Sequence, residues 1–378
     1  MTMTSFTDSE FLKFEVLASG ITIDDAALDH INTANGGRAL TPADYASTSG
    51  VILRLEGDVW VNAPIALYNP NFVEEPPFTL TSEGDRLALR GGNRSVAAEF
   101  WLTPRYHDEV NDRGDPHVIY AFTHTDRVRI SPIAGCAYTC KFCDLPYEFR
   151  YRRKDVQGLV DAVEAARTDP IQPANHVLIS GGTPRPEDFE YMRDVYEAVI
   201  TRFSSMPVDI MMVPIPEVVD VPWLADLGVN ELSINLEIYN DEIARKLMPR
   251  KSRLGRDGLL RFGESAAAVL GENRVRSMLL VGLEPMEDTL AGVRALVDAG
   301  CVPVLSPFRP DPITPLRDHQ PAVADELRET YQRALAICRA AGSTLGPDCR
   351  PCAHNTLTLP NTSDNGDAST CYGHPNMV

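Results

Sequence analysis

From Arg127 onward, short apolar runs rich in Val, Ile and Leu alternate with stretches of helical period. Strands are expected at Val128–Ile133, His176–Gly182, Val208–Val213, Glu231–Ile238, Val275–Val281 and Val302–Ser306. Helices are expected at Asp155–Arg167, Pro186–Phe203, Pro222–Leu227, Asp241–Leu247, Glu287–Ala299 and Val323–Ala341. Strand-then-helix repetition favours a parallel sheet with helices outside, because only a crossover can return the chain to the same end of the sheet. Residues 1–125 break the pattern and read as a mixed α+β extension. It has a helix within Ile21–Ile31 after an Asp cap and a hairpin of Gly50–Glu56 and Asp58–Ala63 turning at Gly57-Asp58. Pro64–Pro77 reads as a loop, and Arg86–Arg90 and Val96–Leu102 as strands. Residues 343–378 read as a loop-rich tail containing cysteines. The expected organisation is therefore 1–125, 126–342 and 343–378, with no role legible for the first part.

The loop after the first strand carries Cys136, Cys140 and Cys143, spaced by three and then two residues. Cysteine thiolate suits cluster iron, and three thiolates would leave a fourth iron open to a non-protein ligand. A structural zinc site wants four ligands, usually as separated pairs. A disulfide suits a secreted chain, and Met1–Asp8 lacks a secretory layout. A ferredoxin-type cluster wants a fourth cysteine nearby, and none follows Cys143 closely.

With Phe142 before its last cysteine, this loop resembles the signature of the radical S-adenosylmethionine (SAM) superfamily, over roughly residues 126–342. The resemblance implies a partial (β/α)6 TIM-like barrel and a [4Fe-4S] cluster whose open iron binds SAM. It also implies reductive cleavage of SAM to a 5′-deoxyadenosyl radical that removes a substrate hydrogen. Gly181 and Gly182 end the second strand, where the lack of a Cβ permits close backbone approach. They are similar to the family's Gly-Gly-Glu turn, which contacts the SAM amino group, with Thr183-Pro184 in place of the acid. A plain tight turn is the competing reading. Ser233, Asn235 and Glu237 alternate with apolar residues and should share one face of the fourth strand. Asn235 and Glu237 resemble a ribose-binding pair, against the alternative of a solvated face. Residues 281–285 partly resemble a turn that lies against adenine. Arg309, with Arg276 and Arg250 as competitors, could pair with a carboxylate through its fork.

Cys349, Cys352 and Cys371 form a second group, with His354 and His374 nearby. Two readings compete: an auxiliary, second [4Fe-4S] cluster, as several members of the resembled family carry, and structural zinc with one of the histidines as fourth ligand. A polar tail without apolar periodicity would draw its stability from the metal. Cys338 falls at helical spacing with Leu327, Tyr331 and Leu335, and Cys301 opens a strand, so both read as core.

The formal charge of −18 argues against nucleic acid and anionic membrane as partners. The basic run Arg150–Lys154 is the exception and could hold an anion or simply be a solvated face. No apolar run has membrane-spanning length, so a cytoplasmic location is expected. The expected function is a radical SAM enzyme acting on a small-molecule or natural-product substrate, with flavodoxin or ferredoxin as reductant. Sulfur insertion leads among the reaction classes, ahead of oxidation, rearrangement and peptide modification. An electron carrier and a zinc-stabilised binding module are the alternatives. The substrate and the oligomeric state are not legible.

Overall fold

The computed structural model describes residues 6–41, 50–65, 75–360 and 376–378. Cys371, His374 and most of the expected loop at Pro64–Pro77 lie outside the described residues.

Helix α1 (Asp8–Ser19) was not expected from the apolar pattern, although its start is written in Thr7 and Glu10. The Glu10 N–H donates to Thr7 Oγ1 at 3.2 Å, and the Thr7 N–H donates to the Glu10 carboxylate at 2.9 Å. This reciprocal pair satisfies two helix-start donors. Helix α2 (Asp25–Ala34) starts on the expected cap, where Asp24 Oδ1 accepts from Ala27 N–H at 2.8 Å. Strands β1 (Thr22–Ile23), β2 (Gly50–Leu55), β3 (Val59–Pro64), β4 (Thr79–Glu83), β5 (Arg86–Gly91) and β6 (Arg94–Phe100) form one sheet in the order β1-β4-β5-β6-β2-β3. The β2–β3 hairpin pairs Leu55 with Val59 around the expected turn. Strand β4 was not expected.

The second sheet has the order β15-β14-β13-β12-β11-β8-β7. Six of its strands run parallel in chain order: β8 (Arg127–Ile130), β11 (His176–Ile179), β12 (Val208–Met211), β13 (Glu231–Ser233), β14 (Val275–Val281) and β15 (Val302–Pro307). The unexpected β7 (Ala121–His124) adds an antiparallel edge to β8. Helices α4 (Val156–Arg167), α5 (Phe189–Arg202), α6 (Val221–Leu227), α7 (Asp241–Leu247), α9 (Met286–Asp298) and α10 (Ala324–Ala340) follow the strands as expected. Helix α8 (Arg256–Leu270) is an addition between α7 and β14. The result is a partial, TIM-like barrel. A ribbon of β9 (Ile133–Ala134) with β10 (Arg152–Arg153) and the short α3 (Leu145–Glu148) frames the cysteine loop. Arg150, Arg152 and Arg153 are exposed there, and Arg153 pairs with Asp188 at 3.3 Å. The three arginines of the basic run are thus solvated at the surface, while Lys154 is half-buried and burial lowers its ammonium to about 8.

Strand β13 is shorter than the expected Glu231–Ile238, and the cause is a bulge. Ser233 pairs with Arg276, yet the next bridge joins Glu237 to Leu279, so one extra residue sits on this side. Side chains replace the lost ladder: Asn235 Oδ1 accepts from Met278 N–H at 3.2 Å, and Ser277 Oγ accepts from Leu236 N–H at 2.9 Å. Glu237 takes φ of 67°, an uncommon conformation for a residue with a Cβ.

One hydrophobic core runs from Leu12 in α1 through the barrel strands to Leu359. Leu12, Phe14, Val16 and Leu17 are all buried, each contributing roughly 1.5–3 kcal/mol relative to exposure. Phe14 meets Tyr331 of α10 at 5.5 Å between ring centroids. The described part of the carboxyl-terminal stretch is loop-rich, as expected, but packs on the barrel through apolar residues. Leu345, Cys349, Cys352, Leu357 and Leu359 are buried, Gly346 bridges to Val304, and Leu357 N–H donates to Leu305 O at 2.9 Å. The stretch therefore lies along β15, the edge that an open barrel leaves bare. Lys13 Nζ clamps it by donating to Ala353 O at 2.9 Å and Thr358 O at 2.6 Å.

Candidate active site and a second thiol group

The barrel encloses a cavity of about 330 Å³, lined at the carboxyl ends of the strands by Cys136, Cys140 and Cys143. The cysteine loop leaves β9 at Gly135, which has φ of 69° and lies so close to residues 149–151 that a Cβ would meet Phe149 O at 2.6 Å. Gly182 presses on the same loop: a Cβ there would lie 1.7 Å from Gly135 O. Beyond it, Thr183 N–H donates to Cys136 Sγ at 3.1 Å and Thr183 O accepts from Ala137 N–H at 2.9 Å. Tyr138 N–H also donates to Cys136 Sγ, at 3.3 Å. Arg250 Nη1 donates to Ala137 O at 2.6 Å. The glycine turn thus holds the cysteine loop. Gly181 and Thr183 line the cavity, while Gly182 does not.

Burial pushes the Cys140 thiol up to about 12, with the nearby Glu237 charge adding to it, and pushes the Cys143 thiol higher still. Thiols that resist ionisation bind metal only with loss of their protons. Two backbone N–H groups aimed at Cys136 Sγ suit a sulfur that carries negative charge. Three thiols on one loop therefore fit a cluster that takes three protein ligands.

Ser233, Asn235 and Glu237 all line the cavity. Ser233 Oγ lies 2.9 Å from Asn235 Oδ1, and Lys251 Nζ pairs with Glu237 at 2.8 Å. Lys251 is almost wholly buried and was missed in the sequence, because it falls in a polar loop rather than at a strand end. Arg127 and Arg129, one face of β8, also reach the cavity. Arg129 Nε donates to Ser180 Oγ at 2.8 Å, and burial lowers its affinity for its proton. A polar residue at every second position of a barrel's first strand was the available signal.

Other expectations are corrected. Arg309 is buried but does not line the cavity; its Nη1 donates to Asn62 O at 3.1 Å, joining the barrel to β3. Arg276 lines the cavity while paired with Glu231 at 2.7 Å and Asp209 at 3.2 Å. Glu284, in the turn compared with an adenine contact, instead accepts from Asn240 N–H at 2.8 Å and Tyr239 N–H at 3.2 Å, and so buttresses the start of α7. Cys301 and Cys338 are buried in the core, as expected.

Cys349 and Cys352 meet Asp126 and His176, all four buried and with one ligand atom each within 4.8 Å of all the others. Neither Asp126 nor His176 was singled out in the sequence. His354, one of the two histidines considered for a zinc site, faces Pro351 O through Nδ1 at 2.8 Å.

An open α/β barrel with three thiols on the loop after its first parallel strand, facing an internal cavity, has the donor set that an iron–sulfur cluster with three protein ligands would need. The family model described as "Radical SAM superfamily" matches residues 130–306, so the chain carries a radical SAM domain and is an enzyme. No curated protein matches it. Among solved structures, it is similar to a radical SAM methyltransferase from Sphaerobacter thermophilus, with 17% identity over 72% of this chain and 77% of that one, and a TM-score of 0.46. It is also similar to HydG, a maturase of the [FeFe]-hydrogenase, with 14% identity over 58% and 51% of the chains and a TM-score of 0.46. A third is SuiB from Streptococcus suis, with 14% identity over 64% and 54% and a TM-score of 0.45. The chain spans about half the length of the HydG and SuiB chains.

Proposed function

We propose that this enzyme cleaves SAM reductively and removes a hydrogen atom from a small-molecule substrate that carries an anionic group. The observation that carries the reading is the placement of Cys136, Cys140 and Cys143 on one cavity with Ser233, Asn235, Glu237 and the Gly181–Thr183 backbone. When bound, a four-iron cluster on those thiols supplies the electron for SAM cleavage. The protein's own part is to orient and to exclude water. Asn235 and Glu237 would hydrogen-bond the ribose hydroxyls, and Lys251, paired with Glu237 at 2.8 Å, would hold that carboxylate in place. The backbone of Gly181 and Thr183, which lines the cavity, would offer carbonyl acceptors to the SAM amino group.

Arg127 and Arg129 supply positive charge inside the cavity, which favours an anion. Oxidation, rearrangement or peptide modification suits the site better than sulfur insertion. Sulfur insertion draws on a second cluster at Cys349, Cys352 and Cys371, and the described partners of that pair are a carboxylate and an imidazole. A flavodoxin or ferredoxin in the cytoplasm is the expected electron source; among the described residues no helix is long and apolar enough to cross a membrane.

Cys136→Ala should abolish 5′-deoxyadenosine formation; continued formation would sink the assignment. Arg129→Met should raise the substrate KM and leave SAM affinity intact. A loss of SAM affinity in that variant would reassign the guanidinium to the SAM carboxylate.

A further inference from the structure

Asp126 stands just before β8, and His176 is the first residue of β11, paired in register with Arg127. Both sit at the amino ends of their strands, the opposite end of the barrel from the cysteine loop. Cys349 and Cys352 come from the carboxyl-terminal stretch that runs along β15. Three segments far apart in sequence thus bring two thiols, an imidazole and a carboxylate to one buried point; their residues are 8%, 3%, 1% and 1% exposed in the order Cys349, Cys352, His176 and Asp126.

The spacing favours a single ion over a cluster, and Cys349 Sγ and Cys352 Sγ, 2.6 Å apart, would have to part to the edge of a tetrahedron when they bind it. Cys352 Sγ lies 3.5 Å from His176 Nε2, and Asp126 Oδ1 lies 3.8 Å from Cys349 Sγ and 3.9 Å from Cys352 Sγ. A tetrahedral ion with bonds of about 2.0–2.3 Å has ligand–ligand edges of roughly 3.3–3.8 Å. A four-iron cube instead spreads its ligands over separate corners, farther apart than around one ion. The three loop thiols do not form such a compact set: among the described residues, Asp126, His176, Cys349 and Cys352 are the group of potential ligands that does.

The surroundings agree with an anionic site. Two thiolates and a carboxylate around a divalent ion leave one net negative charge. Arg127 and Arg276 act electrostatically on this group, Arg276 on both thiols and on His176, and Arg127 on Asp126 and His176. Arg276 is shared with Asp209 and Glu231. Asp126 Oδ2 faces His176 Nδ1 at 3.8 Å, so the carboxylate and the imidazole are neighbours at this point.

We propose that Asp126, His176, Cys349 and Cys352 bind one tetrahedral divalent ion of the zinc class, which fastens the carboxyl-terminal stretch across the open side of the barrel. Cys352 also lines the cavity that holds the three loop thiols, so the ion would sit at the end of that cavity away from the cysteine loop. It makes the second thiol pair a structural tie rather than a source of sulfur or electrons.

The test is metal content and cobalt spectroscopy on anaerobically purified full-length protein with its loop cluster reconstituted. The expected result is about four irons from the one cluster together with one zinc per chain. Zinc should fall by tenfold or more in His176→Ala and in Cys349→Ser/Cys352→Ser, with the iron unchanged. Cobalt(II) in place of zinc in the wild type should show intense tetrahedral d–d bands and sulfur-to-cobalt charge transfer. Asp126→Asn should shift those bands while keeping the ion, so a double-cysteine variant that fails to fold does not decide the matter. A wild type with about eight irons and no zinc, or octahedral cobalt without charge transfer, overturns the proposal. So does zinc retained by both variants. Loss of SAM cleavage in Cys136→Ala is read separately, because that variant should keep its zinc.

Discussion

Thr183 and Cys136, forty-seven positions apart, are joined by an N–H to sulfur hydrogen bond of 3.1 Å. The bond exists because Gly182 has no side chain, which lets the turn after β11 lie flat on the cysteine loop. Gly182→Ala should therefore push the loop away. Iron content and the visible absorption of the reconstituted protein should drop several-fold, with far-UV circular dichroism preserved. Full iron loading in that variant would show that the close approach does not position the thiols.

Lys251 and Glu237 make a nearly buried ion pair at 2.8 Å. Removing one partner of such a pair strands the other and costs about 3–5 kcal/mol. Lys251→Met should lower thermal stability and weaken SAM binding. Lys251→Met/Glu237→Gln should recover most of the stability and none of the SAM affinity. Calorimetric titration of SAM beside a melting curve separates the two effects; recovery of both together would make the pair purely structural.

Asn235 replaces a ladder carbonyl at the β13 bulge by accepting from Met278 N–H. Asn235→Ala leaves that donor unsatisfied, at about 1–3 kcal/mol. Asn235→Asp keeps the acceptor and should fold normally. If the amide also holds ribose, Asn235→Asp should still bind SAM at least tenfold more weakly; unchanged SAM affinity would confine Asn235 to the backbone.

Burial lowers the Lys13 ammonium from 10.5 to about 7. Between those values the unfolded chain holds a proton that the folded one lacks, so stability rises with pH across that window. Below about pH 7 both states are protonated and the penalty is constant, on the order of a few kcal/mol. Urea midpoints for wild type and Lys13→Met should therefore converge or cross as pH is raised from 7 to about 10. Parallel curves would mean that Lys13 keeps its proton in the folded state.

The βα repeat was legible because a strand buried on both faces and an amphipathic helix leave different periodicities in the chain. The three-thiol loop was legible for a related reason: its ligands are close in sequence, and spacing alone carries their chemistry. Helix α1 escaped because its signal is one capping box rather than a long apolar stripe. The bulge at Asn235 escaped because a single inserted residue leaves the alternation of residue types intact while changing the backbone beneath it. Arg309 was misplaced because a guanidinium at a strand end can turn inward or outward, and packing against β3 decides which.

What the sequence determined by itself is local: the strand and helix order, the cysteine loop, and the residue types that line the strand ends. What only the tertiary structure decided is non-local. Asp126 and His176 meet Cys349 and Cys352 because adjacent parallel strands start at the same end of the sheet and the carboxyl-terminal stretch returns along β15. A ligand set assembled from segments 50 to more than 200 residues apart in the chain has no spacing to read, since its members become neighbours only after the barrel has formed.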